Sequence, residues 1–118
     1  CTATGKLYLS QLSSASREKI LQNLPLDKFT KNTITDIDAL NAELDRIAET
    51  GVGIDNEEFI SEMVAIAVPI RDRKSRYLAS LYLHAPTIRV SLDDLLTYVP
   101  RLQKAAQDIQ SLVYELPS

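Results

Sequence analysis

From Met63 to Ile70 the chain alternates without a break: Val64, Ile66, Val68 and Ile70 fall on one side, and Met63, Ala65, Ala67 and Pro69 on the other. A period of two belongs to a strand and is incompatible with a helix. The polar run Arg71-Asp72-Arg73-Lys74-Ser75 follows, after which Ala79, Leu81 and Leu83 alternate with Leu78, Ser80, Tyr82 and His84. Two such runs around a short polar turn predict an antiparallel hairpin, and Pro86 ends its second strand because proline cannot donate to the ladder. A face made only of Val, Ile, Leu and Ala must be buried, so this hairpin demands a helical cover.

The sequence on either side supplies helices. Residues 2–12 place Ala3, Leu7, Leu9 and Leu12 at helical spacing, with Thr2 or Thr4 able to cap the start. Ser13, Ser14 and Ser16 precede a second short helix carrying Ile20, Leu21 and Leu24 on one side, and Pro25 ends it. Residues 26–34 read as irregular. Thr35 is the expected N-cap of a helix with Asp36 and Asp38 in its first turn, Ile37, Leu40, Leu44 and Ile47 along one face, and Gly51 as its C-terminal stop. A strand is expected over 52–59. After the hairpin, Ser91 and Asp94 form a capping-box pattern, and Pro100 opens a longer final helix carrying Leu102, Ala106 and Ile109. The long final helix is the natural cover for the Val/Ile face. These elements make an α+β domain, and without linkers or repeats the whole of 1–118 reads as one domain.

Composition narrows the function. Apolar residues at 45% and charged residues at 25% are ordinary for a globular domain of 118 residues. Sixteen acids against 13 bases, net −3 with a pI near 5.1, do not favour phosphate-backbone binding by this segment. A single Cys excludes an internal disulfide, and one Cys with one His cannot build a structural zinc site, so no metal or cofactor is expected. No apolar run reaches the roughly 18 residues of a membrane span, and a cytoplasmic, reducing compartment is the expectation. The start at Cys1 rather than Met suggests part of a longer protein.

The second face of the hairpin carries chemistry. Met63, Ala65 and Ala67 face the same way as Ser80, Tyr82 and His84, and if Val52 and Ile54 join the core, Asp55 joins that face too. Small residues beside hydrogen-bonding groups describe a pocket floor, although a solvated edge face has the same periodicity. A wall for such a pocket could come from sequence ahead of Cys1. The run Cys1-Thr2-Ala3-Thr4-Gly5-Lys6 leads small side chains into a helix start, where free backbone amides attract anions. A phosphate-binding loop is excluded because the glycine expected five residues before Gly5 does not exist in this chain. Lys6 itself reads as a surface helix lysine. Catalytic constellations are poor: no G-x-S-x-G elbow accompanies a serine, Cys1 has no activating base, and Asp55, Glu57, Glu58 and Glu62 read as a solvated strand and bend. The chain does not read as an enzyme.

Five blocks in order carry a family resemblance: Thr2–Lys6 (Thr-Ala-Thr-Gly-Lys), Phe29–Thr35, Gly51–Phe59 with its Asp-x-Glu-Glu, Ala65–Asp72 (Ala-Ile-Ala-Val-Pro-Ile-Arg-Asp) and Leu83–Arg89 (Leu-His-Ala-Pro-Thr-x-Arg). Over Cys1 to about Val113 the chain resembles the effector-binding domain of IclR-type transcriptional regulators. The resemblance implies a GAF-like antiparallel sheet with helices packed on it, lacking here its first strand or strands and an N-terminal winged helix-turn-helix that binds operator DNA. It implies a homodimer or homotetramer that senses a small organic acid. By position, the effector carboxylate would rest on the amides of Ala3 and Thr4, and Asp55 would accept from an effector hydroxyl. Met63, Ala65, Tyr82 and His84 would line the pocket. Relatives that sense very small acids carry Cys or Ser at the position of Ala65 and Ser at those of Tyr82 and His84, and often Gly at that of Glu62. The departures here imply an acid with an apolar or aromatic part. An assembly domain that has lost sensing is the alternative.

Overall fold

Val64, Ile66 and Val68 are almost wholly buried, and the computed structural model, which describes residues 2–115, places them at its centre. Three helices come first: α1 (Ala3–Ser10), α2 (Ser14–Asn23) and α3 (Ile37–Thr50). Strands β1 (Gly53–Asn56), β2 (Met63–Arg71) and β3 (Tyr77–Pro86) follow, and then α4 (Leu92–Leu96) and α5 (Val99–Tyr114). The sheet is antiparallel in the order β1-β2-β3. Helices cover both of its faces.

The Val64/Ile66/Val68/Ile70 face packs on Leu95 of α4 and on Leu102 and Ala106 of α5, as the alternation required. The opposite face of β2 presents Ala65 and Ala67 to Ala3 and Leu7 of α1 and to Ile47 of α3. Small residues there let α1 lie close on the sheet. Gly53 carries the same logic to its limit: a Cβ at that position would stand 2.3 Å from the Ala3 carbonyl oxygen. Outside α1, Leu40 and Leu44 of α3 pack with Leu21 of α2.

Local signals account for most of the element ends. Thr2 caps α1, its Oγ1 accepting from the Gly5 amide at 3.1 Å, and Ser13 caps α2 through the Ser16 amide. Gly51 stops α3 at φ 73°, the left-handed conformation that a glycine adopts without penalty. The capping box of Ser91 and Asp94 is formed, and Pro100 lies in the first turn of α5.

Four expectations need correction. The N-cap of α3 is Asp36, not Thr35, because its carboxylate reaches the Asp38 amide. Helix α1 ends at Ser10, two residues before Leu12. The strand expected over 52–59 shrinks to Gly53–Asn56, since Glu57 adopts φ 58° and turns the chain out of the ladder. Ala79 and Leu83 are exposed rather than core, because β3 has a neighbour on one side alone among the described residues. On this strand Leu81 is the residue that packs against the α4/α5 core. A register irregularity between Ile70 and Arg71 pairs Arg71 with Tyr77 and leaves Leu78 out of the ladder. Tyr77 thereby joins the α1 face, where its ring meets Tyr8 edge-on at 5.7 Å. Pro69 is tolerated in the middle strand because the ladder with β1 ends at Ala67, two residues earlier.

Candidate binding site

Register decides which side chains can meet. Asp55 pairs with Ala65, Ala65 with His84 and Ala67 with Tyr82, and residues directly opposed across a ladder share a face. Asp55, Ala65, Tyr82 and His84 therefore stand on one side of the sheet, the arrangement expected if Val52 and Ile54 turn to the core. Helix α1 crosses the same side and brings Ala3 and Thr4 to it. A cavity of about 260 Å³ lies in the angle between them. Ala3, Thr4, Asp55, Met63, Ala65, Tyr82 and His84 all line it, while Ala67 lies further along under α1.

Each wall offers a different chemistry. The first-turn amides of α1 have no intrahelical acceptor; Thr2 takes that of Gly5, and no described residue accepts from Ala3 or Thr4. Free N–H groups at the positive end of a helix suit a carboxylate. Asp55 is buried, with 8% of its surface exposed, and its Oδ1 accepts the Glu58 amide at 2.8 Å. Its other oxygen has no partner among the described residues and can accept from a hydroxyl in the cavity. Met63 and Ala65 give an apolar floor. Tyr82 and His84 stand two residues apart with ring centroids at 5.7 Å, forming an aromatic side that is open to solvent. Such a cavity can hold an anionic head, a hydroxyl and a flat apolar body. At about 260 Å³ it falls just below the roughly 300–1,000 Å³ typical of sites for drug-sized ligands, which favours a small guest.

A larger concavity of about 740 Å³ lies between α2 and α3, lined by Arg17, Glu18 and Asp45 among others. None of the seven candidate residues borders it, and it is an open groove whose Arg17 is already paired with Asp45 at 2.7 Å. Volume alone does not make it the site.

Several residues escaped the sequence reading. Thr2, which entered it as a cap, lines the cavity, as do Phe59 and Ile60 from the turn between β1 and β2. Their signal was available: two large apolar residues stand together directly after the acidic run that carries Asp55, and both are about half exposed beside the cavity. Lys6 is the larger departure. It is not a surface lysine but is 1% exposed, with its ammonium 2.6 Å from Glu58 Oε2 and 3.4 Å from Glu43 Oε2. Glu58 is likewise buried rather than part of a solvated bend. Burial pushes the Glu58 carboxyl above its ordinary value; Lys6 opposes that rise, and the nearby Asp55 and Glu43 carboxylates add to it. Cys1, which the sequence reading weighed as a nucleophile, lies outside the described residues. Among the described residues no group of three or more His, Cys, Asp or Glu is placed to hold a metal ion, and no helix is long and apolar enough to cross a membrane.

Comparison with known proteins gives this geometry its context. Residues 1–111 match the family described as the C-terminal domain of the bacterial transcriptional regulator IclR. The probable transcriptional regulator SauR of Cupriavidus necator is 38% identical over 109 residues, which are 92% of this chain and 43% of SauR. The C-terminal domain of the Escherichia coli transcriptional regulator KdgR superposes with a TM-score of 0.85 at 37% identity, over 95% of this chain and 68% of that domain. The inducer-binding domain of the Acinetobacter transcription factor PobR, a double mutant solved with 3-hydroxybenzoic acid, superposes with a TM-score of 0.91 at 29% identity, over 95% of this chain and 65% of that one. The chain spans less than half the length of SauR and of full-length KdgR. It is a transcriptional-regulator domain and not an enzyme, and it belongs to the IclR C-terminal family, the effector-binding domain of IclR-type bacterial regulators.

Proposed function

We propose that this domain binds a small carboxylic acid with an apolar or aromatic part, in the cavity between the start of α1 and the Asp55/Tyr82/His84 face. The observation that carries this reading is the convergence on one cavity of helix-start amides and a buried carboxylate oxygen, neither with a partner among the described residues, over an apolar floor. In this reading the effector carboxylate lies on the amides of Ala3 and Thr4. A hydroxyl donates to Asp55, and the body rests on Met63 and Ala65 against Tyr82, with His84 at the polar tip. That the related PobR domain holds 3-hydroxybenzoic acid supports an acid of this size and shape. Binding acts by linkage. An acid that fits one arrangement of the sensor domains better than another shifts a cytoplasmic homodimer or homotetramer toward it, and with it the spacing of winged helix-turn-helix domains on operator DNA.

The test is a thermal-shift and calorimetric panel of aliphatic, hydroxylated and aromatic carboxylic acids on the full-length regulator. Saturation at about 100 times the dissociation constant should add roughly 2.7 kcal/mol. Asp55→Ala should abolish the response to hydroxylated acids, and Tyr82→Ala should weaken aromatic ones. Tight binding of glyoxylate or pyruvate with none of the aromatic acids would overturn the ligand class. No shift from any acid, in a protein that melts cooperatively, would instead favour an assembly domain without sensing.

A further inference from the structure

The carboxylate cavity has a neighbour of the same size. A second cavity of about 260 Å³ lies on the other side of α1, against the irregular segment that follows α2. Thr2 and Phe59 line both cavities, so the two spaces adjoin at these residues. Beyond them the lining is mostly apolar, with Leu9, Leu24, Leu26, Phe29 and Ile34. Asp27, exposed at its rim, and Lys6, already committed to Glu58 and Glu43, are the charged groups there. The space therefore suits an uncharged alkyl or aryl tail and opposes a second carboxylate.

The backbone that carries Phe59 cannot retreat. The Glu58 amide donates to Asp55, and the Glu58 side chain is held by Lys6. The hydroxyls of Thr30 and Thr33 donate to the carbonyls of Glu57 and Glu58, and Asn32 donates to that of Asn56. Phe59 itself is 43% exposed and meets Phe29 edge-on at 5.4 Å. Its ring is thus held by packing on a pinned backbone, and shortening it opens space between the two cavities without letting the turn collapse. We infer that Phe59 is the residue that sets the length of acid this domain accepts, by closing a passage from the carboxylate site into an apolar chamber. The inference rests on the carboxylate site proposed above and adds to it a specificity residue and a second subsite.

The experiment measures binding to the full-length regulator by calorimetry, using benzoate and its hydroxylated derivatives as compact probes and decanoate as the long one. The parent should prefer the compact acid. Phe59→Ala should raise the ratio of decanoate to compact-acid affinity by about tenfold or more, the worth of burying some two further methylenes. Adding Leu24→Trp, which fills the second chamber from its rim, should remove that gain and spare the compact acid. Phe59→Leu should give a smaller gain in the same direction, a check that does not depend on the alanine variant folding. A Phe59→Ala protein that changes both acids by the same factor, or keeps its gain with Leu24→Trp, overturns the inference. A parent that binds no compact acid refutes the carboxylate site instead; in that case the decanoate gain, present or absent, still decides the passage.

Discussion

Replacing Lys6 with Met tests the buried charges beneath the site. Its ammonium has 1% exposure and lies 2.6 Å from Glu58, whose side chain is 6% exposed. Methionine keeps most of the stem and removes the charge, leaving Glu58 buried beside the carboxylates of Asp55 and Glu43. Breaking a buried pair by removing one partner costs about 3–5 kcal/mol. The lower end applies here, because Glu43 lies at the rim of the cluster and also meets the exposed Arg46 at 3.2 Å. A surface lysine, the reading from sequence, would change stability by no more than about 0.5 kcal/mol. The sign of the pH dependence follows from Glu58. Burial already holds its native value above the ordinary 4.5, so its titration favours the folded state in acid. That contribution is lost as pH rises from about 4.5 through the raised native value. Without Lys6 the native value climbs further, so the cost of Lys6→Met should be small in acid and grow toward neutrality. Urea unfolding of the full-length protein across that range measures it, and the Lys6→Met/Glu58→Leu double variant should recover most of the loss. A Lys6→Met protein as stable as its parent at neutral pH would refute the argument, since the ammonium would then have to lie in water.

Two further substitutions probe the frame of the site. Gly53→Ala drives a methyl against the Ala3 carbonyl at 2.3 Å and the Leu7 Cβ at 3.2 Å. It should cost about 1–3 kcal/mol by overpacking and weaken acid binding as α1 is pushed off the sheet, both read from urea midpoints and calorimetry. Asp72 is held below its usual range chiefly by the Arg76 amide, with further help from the Arg76 side chain and the Lys74 amide. Its contribution to the hairpin turn should persist at neutral pH and fade as pH falls through that lowered value. The protection factors of the Lys74 and Arg76 amides, with the intrinsic pH dependence of exchange divided out, should fall in acid, and Asp72→Asn should show the lowered protection at neutral pH as well.

Much of the frame was legible in the residues themselves. Alternation from Met63 to Ile70 gives the strand, the face that α5 covers and the face shared by Asp55, Tyr82 and His84, because side-chain direction in a strand has a period of two. Gly51 and the Ser91/Asp94 box mark helix ends through interactions spanning a few residues. Where neighbouring residues competed for the same role, as Thr35 and Asp36 did for the cap of α3, composition could not rank them.

Tertiary structure decided what depends on distant partners. Lys6 and Glu58 are 52 positions apart, and nothing near Lys6 in the chain announces that a carboxylate will meet it in the interior. Phe59 borders both cavities because the turn after β1 is tied to Thr30 and Thr33, some 25 residues upstream. Leu83 and Tyr82 carry the pattern of a strand but remain exposed, since burial depends on what lies across the sheet. Periodicity reports which way a side chain points; charge pairing, close approach and cover are set by the elements it then meets, and those meet only in the folded chain.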